Sequence, residues 1–203
     1  MNDSPGTQHL VPETGSDLEQ HFGALGVALE RNRTAAIRRI WSWGEQLTDI
    51  YQRNSRLFAC GNGGSAAEAQ HLSAELTGRF RAERRPLAAI ALHCDTSATT
   101  AIANDYGIEE MFARQLRAHG RPGDALVVLS TSGTSPNVVA TAKTAHEMGI
   151  TTWALTGPPP NTLASVCDDA IAVEADTVAT VQEIHLVLAH ALCTALDAAL
   201  EAL

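Results

Sequence analysis

Five short apolar runs, each followed by a stretch of helical periodicity, constrain this chain more than any other feature. The runs are Leu57–Cys60, Leu87–Leu92, Ala125–Leu129, Thr152–Leu155 and Ala170–Val173. They are continuous rather than alternating, so each strand has two apolar faces, as a parallel sheet covered by helices on both sides requires. Helical segments are predicted near Ser65–Thr77, in a short stretch ending by Gly107, and near Ile108–His119, Pro136–Met148 and Thr162–Val166. A long last helix runs to about Leu203. Ahead of the first run, the apolar spacing from Leu18 to about Asn54 fits two helices with a break at Asn32–Thr34. With 203 residues, 45% of them hydrophobic and only 4% aromatic, the chain can fill one large core but not two. The expectation is one α/β domain over residues 18–203, of three α/β/α layers. Its sheet would be doubly wound, mostly parallel and five-stranded, with helices in front.

Residues 1–17 are polar and hold two prolines and two glycines, which predicts a disordered tail. They lack the basic-then-apolar order of a signal peptide. The formal net charge of −9 disfavours nucleic-acid backbones and anionic membranes as partners. The nearest basic patch, Arg79–Arg85, reads as a solvated helix end or as one cation beside an anionic substrate. Cys60, Cys94, Cys167 and Cys193 are widely spaced, without a Cys-x-x-Cys pair, and read as reduced thiols. A cytoplasmic protein is expected.

In such a sheet, ligands bind past the carboxyl ends of the strands. After the first run stands Gly61-Asn62-Gly63-Gly64-Ser65, whose glycines bring backbone N–H groups close to a ligand at a helix start. The segment also fits an ordinary turn with Ser65 as N-cap, or a weak dinucleotide fingerprint. After the third run, Ser130-Thr131-Ser132-Gly133-Thr134-Ser135 places five hydroxyls in six residues ahead of another helix. Capping needs one of them; hydroxyls with free amides make a phosphate cradle without lysine. Asn104 and Asp105 suit sugar hydroxyls and suit a turn equally well.

His71 and Glu75 are four apart on one helix face, within reach of a common ion or of each other. Gln182-Glu183-Ile184-His185 and His190 fall in the apolar last helix, where a lone histidine is ordinarily a satisfied core residue.

Taken in order, Cys60-Gly-Asn-Gly-Gly-Ser65, Gln70-His71, Glu75-Leu-Thr-Gly-Arg79, Ala103-Asn-Asp105, Ser130-Thr-Ser-Gly133, Gln182-Glu-Ile-His185 and His190 resemble the sedoheptulose-7-phosphate (phosphoheptose) isomerase family of the sugar-isomerase (SIS) domain superfamily. The resemblance runs from about Ala35 to the C-terminus. It implies one Zn²⁺ per subunit on His71, Glu75, Gln182 and His190, with other divalent ions able to substitute. Sugar-phosphate contacts would fall on Asn62, Gly63, Gly64, Ser65, Glu75, Asn104, Asp105, Ser130, Thr131, Ser132, Ser135 and Gln182. Glu75 and His190 would be the acid–base pair, in a homotetramer making D-glycero-D-manno-heptose 7-phosphate from sedoheptulose 7-phosphate through a metal-stabilised enediolate. Thr134, Gly157-Pro158-Pro159-Pro160 and Val181 depart from the family pattern, which more often has Asn, glycines and Arg there. A non-catalytic branch that binds a replication initiator shares the loops but lacks counterparts of Glu75 and His190. An isomerase of another sugar phosphate, such as an amino-sugar phosphate, or a sensing domain of the wider superfamily would keep the Ser130–Ser135 loop but not the metal quartet.

Gln182 and His190 are eight apart, so on one helix their Cα atoms stand about 12 Å apart. One ion reached by both from a single chain is at the limit of their span. The spacing therefore predicts sites shared between subunits, with Leu186, Leu188, Leu192 and Leu196 serving interface as well as core. A helix that begins after Gln182 would relieve the strain within one chain.

Overall fold

The computed structural model describes residues 14–202. It contains helices α1 (Thr14–Gln52), α2 (Gly64–Thr77), α3 (Thr96–Tyr106), α4 (Glu110–His119), α5 (Pro136–Glu147), α6 (Thr162–Val166) and α7 (Val178–Glu201). The strands are β1 (Leu57–Gly61), β2 (Ala89–Ala91), β3 (Ala125–Ser130), β4 (Thr151–Thr156) and β5 (Asp169–Ala172). All four strand pairings are parallel and the order is β2-β1-β3-β4-β5. The five apolar runs are the five strands, and every neighbouring pair is parallel rather than most of them.

Along each strand the side chains alternate between two cores. Leu57, Ala59, Val127, Leu129, Trp153 and Leu155 pack toward α1, α2 and α7. Phe58, Cys60, Leu126, Val128 and Ala154 pack toward α4, α5 and α6. Both faces are covered, which is why the strands read as unbroken apolar runs. Cys60 and Cys193 are buried thiols, Cys167 is half-buried and Cys94 is exposed.

The tail predicted for residues 1–17 lies outside the described residues as far as residue 13, and Thr14–Asp17 form the first turn of α1. The predicted break at Asn32–Thr34 does not occur, since α1 is one helix of 39 residues. No proline or glycine stands there to stop it. Asn32 uses its amide otherwise: Nδ2 donates to Ala28 O (2.7 Å) and Glu174 O (3.1 Å), and Oδ1 accepts from Glu174 N (3.0 Å). The residue taken for a breaker ties α1 to the approach to α7.

α7 is long and apolar enough, by length and composition, to cross a membrane. Here it packs between α1, α2 and the sheet, with Leu188, Leu192 and Leu196 buried in its own chain. These leucines belong to the core, Leu186 is half-buried, and Leu188 also borders an open groove. The uncovered apolar surface lies beside them, in that groove of about 480 Å³ between α1 and α7. Ile37, Trp41 and Val187 line it, and each is nearly half exposed.

Candidate active site

β1 and β3 are adjacent, with Gly61 level with Leu129, so their two loops open side by side at the carboxyl edge. Gly63 has φ +54°, a conformation costly for any residue with a Cβ. A Cβ on Gly64 would stand 2.6 Å from Gln182 Nε2, so the head of α2 can lie against Gln182 only because this position is glycine. Ser65 is not the N-cap; it is buried inside the first turn of α2, and Gly63 holds the cap position without a side-chain bond. On the β3 side, Ser130 Oγ lies 3.1 Å from Ser135 Oγ and 3.4 Å from Ser132 Oγ, and accepts from Gly133 N at 3.2 Å.

The caps separate these two loops from the rest. Of the five helices that follow strands, α3, α6 and α7 are capped by Asp95, Asn161 and Thr177. α2 and α5 have no side-chain cap, although Ser65 and Ser135 stand within reach of the task. Both helix starts point positive dipole at the loops; at α5, where Pro136 has no N–H and Val138 N donates to Asn137 Oδ1 and Ser135 O, the donors left for an anion are those of the loop and of Asn137 N.

The metal-type residues meet two turns along α2. His71 Nε2 is 2.9 Å from His190 Nε2 and 3.3 Å from Glu75 Oε1, and one ligand atom from each of the three lies within 4.8 Å of the others. Tetrahedral zinc with ~2.0–2.1 Å bonds sets its ligand atoms about 3.3 Å apart, so this donor set fits such an ion with small side-chain movement. The site is open to solvent on one side, the His71 side chain being 43% exposed. Phe80 stacks on His190 at 5.5 Å between centroids, and the Arg81 guanidinium carbon lies over the Phe80 ring, 5.1 Å from its centroid.

Gln182 contacts the head of α2. It lies on α7 against Gly64, two turns before His190, because α7 begins at Val178 and includes it. α2 and α7 lie side by side, and their contacts follow in order: Gly64 with Gln182, Glu68 with His185, His71 with His190. Below these, Arg84 donates to Glu75 O (2.8 Å), Leu76 O (2.9 Å) and Asp197 Oδ1 (2.9 Å). Arg84 thus leaves the basic patch to tie the last turn of α2, which carries Glu75, to α7. It is neither a solvated helix end nor a free cation.

The Glu68–His185 contact has a testable pH signature. His185 is wholly buried; its Nε2–H donates to Thr156 O (3.1 Å), and Nδ1 faces Glu68 Oε2 at 3.9 Å. Burial pushes the Glu68 carboxyl up to about 7 and the His185 imidazole down to about 4. A raised carboxyl supports the fold below its unfolded value of 4.5 and withdraws that support as pH rises through about 7. A lowered imidazole supports the fold above 6.5 and withdraws support as pH falls through about 4. Between these limits the two effects largely cancel, since folding moves one proton from His185 to Glu68. Glu68→Gln removes one arm, so the melting temperature of the variant is expected to fall more steeply than wild type from pH 6.5 to about 4. Parallel curves for the two proteins would reject the coupling.

Asn104 and Asp105 lie exposed on the last turn of α3, bonded to one another (Asn104 Nδ2 to Asp105 Oδ1, 2.9 Å). Among the described residues they share no hydrogen bond with either loop or with the His71 cluster. Phe80, Arg84, Asn137 and the Glu68–His185 contact escape a reading of the sequence, because each is a single residue whose partner is remote in the chain.

The SIS domain family model matches residues 20–157. A phosphoheptose isomerase of Streptomyces coelicolor is 56% identical over 181 residues, 89% of this chain and 78% of that protein. One from Bordetella avium is 44% identical over 188 residues, 91% of this chain and 95% of its own. Among solved structures, phosphoheptose isomerase from Neisseria gonorrhoeae superposes with a TM-score of 0.86 at 39% identity, over 91% of this chain and 99% of that one.

Proposed function

We infer the reaction from membership: the chain belongs to the SIS-domain family and, within it, to the phosphoheptose isomerases, sugar-phosphate isomerases of heptose biosynthesis. The substrate we propose is sedoheptulose 7-phosphate, converted to D-glycero-D-manno-heptose 7-phosphate. The observation that carries this reading is the convergence of His71, Glu75 and His190 beside two loops whose helices lack side-chain caps.

In the proposed reaction the hydroxyl loop, Ser130, Thr131, Ser132 and Ser135, receives the phosphate. The glycine loop, Asn62 to Ser65, and Asn104 and Asp105 hold the polyol. Glu75 removes the C1 proton beside the C2 carbonyl, and the electron pair forms the C1=C2 bond of an enediolate. Glu75 then returns the proton to C2, leaving the carbonyl at C1. His190 moves the hydroxyl proton between the two oxygens. Phe80, stacked on His190, keeps water from one face of that ring.

Zinc is the ion we propose for His71, Glu75 and His190, with Gln182 completing the set. When bound, it supplies Lewis-acid polarisation of the carbonyl and its neighbouring hydroxyl. Chelation that removes the metal, verified by elemental analysis, is expected to abolish turnover, and added Zn²⁺ to restore it. Full activity in metal-free protein would refute the metal assignment. We also propose a cytoplasmic homotetramer in which Gln182 reaches the site of a neighbouring subunit. The exposed apolar groove between α1 and α7 supports association.

A further inference from the structure

Asn62 and Asn137 face each other across the two loops and form a closed amide pair. Asn62 Nδ2 donates to Asn137 Oδ1 (2.9 Å), and Asn137 Nδ2 donates to Asn62 Oδ1 (2.8 Å). Asn137 Oδ1 also accepts from Val138 N at 3.0 Å, and Asn137 is only 4% exposed, in the first turn of α5. Among the described residues this pair is the one side-chain bridge between the glycine loop and the hydroxyl loop.

We propose that Asn137 is a positioning residue whose amide, paired with that of Asn62, fixes the glycine loop against the hydroxyl loop so that both present their backbone donors to one bound phosphosugar. The proposal rests on the sugar-phosphate reading above. The physical need is plain at Gly63, which has positive φ and is followed by Gly64: two successive glycines leave the loop many conformations of similar energy. A bound anion then has to order the loop at its own expense unless something else already holds it. Asn137 is suited to do so. It is buried, begins the helix that leaves the hydroxyl loop, and is itself held by Val138 N. One consequence concerns Asn62, one of the residues expected to contact substrate. Its oxygen and one N–H are occupied by Asn137, which leaves its second N–H and its backbone for the ligand.

Asn62→Ala, Asn137→Ala and the double variant test this in the full-length, metal-loaded protein. Each single variant is expected to lose about tenfold in kcat/KM, the double no more than either single, with zinc content unchanged. Amide hydrogen exchange in the unliganded protein is expected to quicken in both loops of Asn137→Ala, at residues 61–66 and 130–136. Should Asn137→Ala fold poorly, Asn137→Asp keeps the shape and the Val138 contact but sets an oxygen against Asn62 Oδ1, and the same loss is expected. Single losses that multiply in the double variant would overturn the proposal, as would a far larger loss in Asn62→Ala than in Asn137→Ala. Unchanged exchange in the hydroxyl loop would do the same. The exchange arm needs no substrate: faster exchange without any turnover of sedoheptulose 7-phosphate by wild type would uphold the brace and refute the substrate.

Discussion

Glu75→Gln is expected to lose at least about a hundredfold in kcat while remaining folded and still binding the sugar phosphate. The amide has the shape of the carboxylate but cannot accept the C1 proton, and nothing else on the α2 face that carries His71 is both acidic and directed at the cluster. Glu68, one turn back, is buried against His185 and pushed toward its protonated form, so it is a poor substitute base. The fold should survive, because the position is held through its backbone by the Arg84 bond to Glu75 O at 2.8 Å, which the substitution leaves intact. Glutamine also weakens a metal site, so the assay is run with saturating Zn²⁺ and the bound metal is measured alongside. A variant that holds zinc and keeps more than about a tenth of wild-type kcat would mean that another residue is the base.

How far such roles can be read in a sequence depends on how local their cause is. The strands were legible because a buried parallel strand must be apolar at successive positions, a property each run carries by itself. β2 was over-extended to Leu87–Leu92, since Leu87 and Leu92 are core residues that flank a pairing of only three. A break in α1 was expected, and does not occur, because Asn32 is a weak helix former on its own, and its actual partner, Glu174, lies 142 residues away. The same distance explains the site. His71 and Glu75 are an i,i+4 pair and announce themselves. Their meeting with His190 is set by the packing of α2 on α7, which no local pattern encodes, and only the family resemblance singled that histidine out. Arg84 is the sharper lesson. In sequence it is one of five basic or acidic neighbours in a loop; in the fold it is the cation that closes the end of α2, donating to Glu75 O and sharing Leu76 O with Leu87 N.

Mixing two inactive variants, Gln182→Ala and His190→Ala, is expected to restore about a quarter of the wild-type activity once subunits have exchanged. The figure follows from assortment. A site that takes His190 from one chain and Gln182 from its neighbour is complete only when the first chain is Gln182→Ala and the second is His190→Ala, which random exchange supplies in about one case in four. The reason to expect sharing is the geometry of α7. Because the helix starts at Val178, Gln182 lies within α7 and not on a turn ahead of it, which removes the flexible turn that would have eased a single-chain site. Two turns of helix, about 12 Å of rise, separate Gln182 from His190. Within its own chain Gln182 abuts Gly64, whereas His190 abuts His71. Their side chains also lean toward the start of the helix, which carries Gln182 further from the ion position rather than nearer. A neighbouring α7 brought in over the exposed face of Val187, Ile37 and Trp41 would supply the missing ligand and bury the open groove together. Exchange is followed independently, with subunits of distinguishable mass, so that silence is informative. Complete exchange without recovery would assign every ligand, Gln182 included, to a single chain, and would leave the groove without a part in the chemistry.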